Sequence, residues 1–182
     1  MEESERFRRW AQSLTSLLTE LASQETPYPY DKNELLDPIP TDAVVPEALR
    51  PLYAVCGAAS MPDVWNGYFI DSADRLAWYK GRDLVPTQIG GTPPIEIEVF
   101  GSDGGGGIYA LGIADGAVYF LPSWGYIVED NVYFPDDTMG TPRISASVIG
   151  FLQRLLADVE AFVHQREGHI YIETEFTTQG RG

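Results

Sequence analysis

The stretch FGSDGGGGIYALG, residues 100–112, is where this sequence comes nearest to a chemical motif. Glycines gather where the backbone must take positive φ or where another group approaches closely, so a phosphate cradle is the first reading to test. A phosphate loop ends in Gly-Lys-Ser or Gly-Lys-Thr, which this stretch lacks. Gly105, Gly107 and Ala110 fit the spacing G-x-G-x-x-A, but a strand pattern follows them where a dinucleotide site needs the N-terminus of a helix. The stretch therefore predicts a tight strand-to-strand turn in which Gly104, Gly105 and Gly106 are structural.

Nucleophilic and metal chemistry is sparse. His164 and His169 are the two histidines and Cys56 is the one cysteine, so zinc-type ligation lacks its ligands and no metal or cofactor is expected. Cys56 lies at an apolar helical position and reads as a small core residue. A small-ligand site or enzyme would have to be built from residues distant in sequence, such as Cys56 and His164. The adjacent carboxylates Glu129-Asp130 and Asp136-Asp137 read by default as solvated loop charge, in a chain with 27 acids. No catalytic residue is assigned.

Charge says more. With 12 basic and 27 acidic side chains the formal net charge is −15, which opposes the counterion release that drives binding to phosphate backbones. Direct nucleic-acid binding is not expected. Residues 101–150 hold Asp103, Asp115, Glu129, Asp130, Asp136 and Asp137 against the single base Arg143, with Trp124, Tyr126 and Tyr133 among glycines and prolines. Aromatic anchors with carboxylates that steer a basic partner suit a protein interface. The set expected to contact a partner is Asp63, Trp65, Asp103, Trp124, Glu129, Asp130, Asp136 and Asp137.

The elements that must carry these residues follow from periodicity. In residues 4–24 Phe7, Trp10, Ala11, Leu14, Leu17, Leu18 and Leu21 recur every three or four positions, the mark of an amphipathic helix. The proline-rich stretch after it reads as a loop, either a plain connector or an arm exposing Tyr28 and Tyr30. Pro46 followed by Leu49, Leu52, Tyr53 and Cys56 predicts a short helix that kinks or restarts at Pro51 and ends at Gly57. WNGYFI, IEIEVF, IYALGI and AVYFLP have strand composition, and GYIVE is a further candidate. In residues 95–99 alternation directs Ile95, Ile97 and Val99 to a core and Glu96 and Glu98 to water. Asp115-Gly116 predicts a hairpin with both turn residues at positive φ. Residues 145–164 place Val148, Phe151, Leu152, Leu155, Val159 and Phe162 on one helical face. The tail alternates at first, so an edge strand or an ordered arm is expected before a frayed end.

Together these make an α+β fold: one domain, a mainly antiparallel twisted sheet flanked by N-terminal and C-terminal helices. A charged start without a secretory apolar core, no run of about 18 apolar residues, and a lone cysteine lead us to expect a cytoplasmic protein that does not enter a membrane.

The order of these features resembles the SUKH superfamily, specifically its Smi/Knr type, over about residues 45–163. The likeness rests on PEALRPLY, GYFI, IEIEVFGSDGGGGIYALGIADGAVYFL and SVIGFLQRLLADVEAFV, and above all on Ser102-Asp103-Gly104-Gly105-Gly106, Tyr109-Ala110-Leu111 and Gly116 to Tyr119. Two departures stand out: Gly57-Ala58-Ala59-Ser60 replaces the family's Asn-Gly-Gly-like residues, and Pro51 interrupts the helix before them. The resemblance implies a Smi/Knr-like domain over 46–166; outside it, the sequence pattern itself predicts a packed helix at 1–26, a Pro-rich loop at 27–45 and a tail at 167–182. It further implies a non-enzymatic binding module. Many bacterial members look like immunity proteins that neutralise nuclease or deaminase toxin domains, which makes a basic toxin domain the expected partner. Fungal members act as regulatory scaffolds, the alternative reading.

Overall fold

The apolar stripe near the start of the chain forms helix α1, Glu3–Ala22, which buries Phe7, Trp10, Leu14, Leu18 and Leu21. The computed structural model describes residues 3–24, 32–80, 82, 84–123, 127–134 and 143–172, with the backbone alone at 127–129. Tyr28 and Tyr30 lie outside the described residues.

After the proline-rich stretch, part of the expected loop is a strand. Leu35 and its neighbours form β1, Glu34–Leu36, paired antiparallel with β2, Ala58–Met61. Three residues give no readable period, so this strand is specified by its partner rather than by its own pattern. The Pro46 segment makes a 3-10 turn, Glu47–Leu49, and then a fresh start as α2, Arg50–Tyr53, with Pro51 in its first turn, where its missing N–H does no harm. The helix ends at Ala54 rather than Gly57. Gly57 instead lets the chain press against the Asp37 carbonyl, where a Cβ would collide, while its N–H donates to Leu36 O at 2.8 Å.

The sheet is built around a long central strand. After β3, Tyr68–Ile70, a helix the pattern did not announce, α3, Ala73–Lys80, precedes β4, Gln88–Ile89, and β5, Ile95–Asp103. Then come β6, Ile108–Gly112, β7, Val118–Leu121, β8, Ile127–Glu129, β9, Val132–Phe134, and β10, Arg143–Ser145. Strand β5 pairs along one edge with β6, and along the other with β4 at its start and β3 at its end. Among the described pairings only β4 with β9 is parallel.

Alternation along β6 and β7 divides the core. Tyr109, Leu111, Val118 and Phe120 face a large cluster completed by α1 and by α4, Val148–Val163. Ala110, Tyr119 and Leu121 join Ile97 and Val99 in a second cluster on the opposite face, with Ile89 and Tyr133. Helix α4 begins later than the expected 145, because Ser145 belongs to β10 and Ser147 is the cap, its Oγ accepting from Gly150 N at 3.2 Å.

Both faces of β5 are covered, and this corrects one expectation. Glu96 is exposed as predicted, but Glu98 is buried and paired with Lys80 Nζ of α3 at 2.5 Å. The β6–β7 hairpin forms as expected with Leu111 opposite Val118, yet its loop is not the two-residue turn that puts both positions at positive φ. Only Gly116 is left-handed, at φ 67°, and residues 113–116 span the gap between the bonded Gly112 and Ala117. Asp115 stays on the right-handed side because its Oδ1 accepts from Ala117 N at 3.0 Å. The two-residue turn with paired positive φ occurs instead between β8 and β9, at Asp130 (46°) and Asn131 (62°).

Candidate functional site

The predicted contact residues separate into two places. At the far end of β5, Asp103 opens the glycine turn and faces inward. Its Oδ1 accepts from Gly107 N at 2.6 Å and its own N–H donates to Gly107 O at 2.9 Å. Burial raises the Asp103 carboxyl above its ordinary value, while the N–H groups of Gly107, Gly105 and Gly106 pull it back. Asp103 is therefore the ligand of its own turn, and Gly105, Gly106 and Gly107 supply the backbone it binds, while Gly104 turns its N–H outward to the neighbouring loop. Gly107 has no room for a side chain, since a Cβ would stand 2.5 Å from the Phe120 ring.

That turn leans on the loop before β3. Gly104 N donates to Gly67 O at 3.2 Å, and Ser123 Oγ donates to Gly105 O at 2.8 Å. In the same loop Asp63 is held by Asn33, whose Nδ2 donates to Asp63 Oδ2 at 2.8 Å while Asp63 N donates to Asn33 Oδ1 at 3.1 Å. Trp65, at φ 53° and about half exposed, stacks on Tyr171 with ring centres 4.0 Å apart and planes 6° from parallel. Asp63, Trp65 and Asp103 thus do come together as one rim of the sheet.

The chain segment under Trp65 is fixed by a buried carboxylate that the sequence did not single out. Asp158, on the inner face of α4, is 2% exposed. Its Oδ2 accepts from Tyr68 OH at 2.6 Å and from Ile172 N at 2.9 Å, and its Oδ1 lies 2.7 Å from His169 Nε2. His169 in turn meets Tyr171 edge to face at 4.8 Å. One carboxylate therefore ties the sheet, the last helix and residues 169–172 together, and so holds Tyr171 beneath Trp65. The tail is an ordered arm to this point, with Tyr171 and Ile172 buried, and residues 173–182 lie outside the described residues.

Asp130 lies elsewhere, exposed in the β8–β9 turn beside β4. Glu129 closes β8 in the same hairpin. Trp124, Tyr126, Asp136 and Asp137 lie outside the described residues. Asp115 serves the hairpin. Desolvation raises its carboxyl, but the Ala117 N–H, the Tyr119 hydroxyl at 2.8 Å and Arg143 outweigh this and leave it below its ordinary value.

At the opposite end of β5 the structure builds a surface that sequence reasoning missed. An open groove of about 480 Å³ runs between Val44, Pro46, Glu96 and Ile113, and continues past Pro46 and Ile113 into a second hollow bordered by Glu3, Glu47 and Arg50. Val44 is 84% exposed and Ile113 47%. Glu96 and Asp103 lie seven positions apart along β5, so the groove and the Trp65 rim stand about 20 Å apart. No sequence window could show the groove, because Glu3, Pro46, Glu96 and Ile113 come from four separate segments.

The groups that could do covalent chemistry are otherwise engaged. Burial pushes the Cys56 thiol up to about 12, and Cys56 Sγ donates to Ala58 O at 3.3 Å, which keeps it a protonated core residue. His164 sits on the surface 3.3 Å from Glu20, so the two residues take separate partners. Among the described residues no group of three His, Cys, Asp or Glu converges as a metal ion would need, and no helix is long and apolar enough to cross a membrane. In comparisons with known proteins the chain matches no family model, no curated protein and no solved structure.

Proposed function

We propose that this chain is a non-enzymatic binding module of the immunity type. It holds a basic protein domain, of a nuclease or deaminase kind, and covers the face with which that domain acts. The observation that carries this reading is the net charge of −15 on a surface that also exposes Val44, Trp65 and Ile113. A protein face built to grip phosphate attracts carboxylates for the same electrostatic reason, and exposed apolar side chains then supply contact area that charge alone does not. The likeness of its glycine turn and flanking strands to the Smi/Knr type supports the same reading. Of the expected contact set, Asp63, Trp65 and Asp130 sit at exposed or half-exposed positions, whereas Asp103 acts by shaping the rim.

The test is inhibition. Purified chain added in stoichiometric amount to a basic nuclease or deaminase domain recovered with it abolishes that domain's activity. Full activity in the presence of a stable complex would refute occlusion and leave a scaffold.

A further inference from the structure

We infer that the groove between Val44, Pro46 and Ile113 is a docking channel for an extended segment of the partner in which basic and apolar side chains alternate. This inference rests on the proposed reading of the chain as a binder of basic proteins, and it names the surface used.

Three observations bear on the occupant. One part of the lining is apolar and open to solvent, with Val44 84% and Ile113 47% exposed beside Pro46, while Thr87 and Gln88 add polar groups, and neighbouring apolar side chains this exposed mark contact surfaces more often than isolated ones do. The rim is acidic: Glu3, Glu47 and Glu96 are exposed, and among the described residues none of the three has an ion-pair partner. The two nearby cations do not balance them. Lys80 is neutralised by Glu98 at 2.5 Å, which leaves Arg50 against three carboxylates. The groove's 480 Å³ is of the size of ligand clefts, about 300–1,000 Å³, but it is open along its length and prolonged by a second hollow. That shape suits a strand of polypeptide better than an enclosed small molecule. Alternate side chains of an extended segment point to opposite sides, so one set can lie against Val44 and Ile113 while the other reaches Glu47 and Glu96.

The experiment measures fluorescence anisotropy of a labelled Lys-Val-Lys-Ile-Lys-Val-Lys peptide with the full chain at low salt, beside an all-lysine heptapeptide. The double variant Glu47→Lys with Glu96→Lys is expected to weaken binding about tenfold or more. The control Glu20→Lys with Glu167→Lys makes the same charge change at exposed positions. Glu20 lies at the other end of α1 from Glu3, about 25 Å away, and this control is expected to weaken binding by no more than about twofold. Val44→Ser with Ile113→Ser should reduce the affinity of the alternating peptide to that of the all-lysine one. Thermal melts establish that each variant is folded. Equal weakening by both charge-reversed pairs overturns the groove and leaves a diffuse attraction, with the proposed function intact. Failure of the unaltered chain to bind either cationic peptide overturns the groove as a channel for such a segment, and the proposed function is then decided by the inhibition assay alone.

Discussion

Replacing Asp158 by Ala takes one acceptor away from three groups at once. Tyr68 OH at 2.6 Å and Ile172 N at 2.9 Å both donate to Oδ2 inside the protein, and hydrogen bonds to a charged acceptor contribute about 1.5–3 kcal/mol each. The His169 contact at 2.7 Å adds less than about 1 kcal/mol, because that side chain keeps some access to water. Returning the carboxylate to water in the unfolded chain offsets part of the sum. The net loss works out at about 3–4 kcal/mol. With a urea dependence of about 2 kcal/mol per molar, the unfolding midpoint falls by about 1.5–2 M. Asp158→Asn keeps the shape and one carbonyl acceptor, so it loses about half as much. Loss of the anchor also frees the arm locally. The Ile172 amide exchanges about a hundredfold faster, and Tyr171 leaves Trp65, which alters the tryptophan emission. A fall of less than about 1 kcal/mol together with unchanged Ile172 exchange would refute the anchoring role.

Further outcomes follow from other contacts. Lys80→Ala leaves the buried Glu98 without its partner; since Lys80 is half exposed, the loss is about 1–2 kcal/mol, and Lys80→Ala with Glu98→Gln recovers most of it in a double-mutant cycle. Gly107→Ala drives a Cβ against Phe120 and lowers stability by about 2 kcal/mol or more, whereas Gly116→Ala meets open space and costs about 1 kcal/mol from its positive φ alone, as thermal melts will distinguish. Asp115, whose carboxyl lies below its ordinary value when folded, binds fewer protons in the native state. Its contribution is present above the unfolded value near pH 4 and is lost as pH falls through the folded one. Asp115→Asn therefore flattens the acid limb of the stability curve below about pH 4 and leaves the curve's slope near neutrality unchanged.

What could be read from the sequence, and what could not, follows from where the information lies. Helices α1 and α4 announce themselves because each spans enough residues for a period to repeat and buries the face that period marks, whereas strands β5, β6 and β7 are legible from β-branched and aromatic composition between glycines although most of their residues on both faces are buried. Strands β1, β4 and β9 are two or three residues long, and their pairing is decided by neighbours remote in sequence. Helix α3 had a readable signal in Ser72, whose Oγ accepts from Arg75 N, followed by ADRLAWYK. Strict alternation assigns Glu98 to water because it assumes one wet face, whereas α3 supplies a cation on that face. Composition groups Asp103 with the surface acids, although an aspartate before four glycines also describes a carboxylate that gathers backbone N–H groups around itself. Asp158 was hidden more deeply: Tyr68 is 90 positions away and Ile172 is 14, so only the folded chain shows that they share one oxygen.

The proposal that the chain covers a basic domain is tested most directly by the rate at which it associates with a basic nuclease or deaminase domain, taken across a series of salt concentrations. Attraction between exposed charges is screened over about 10 Å at 0.1 M salt, so a carboxylate-steered encounter slows steeply as salt rises while dissociation changes little. That result, with loss of the partner's activity, is what the account predicts. An association rate indifferent to salt would contradict it.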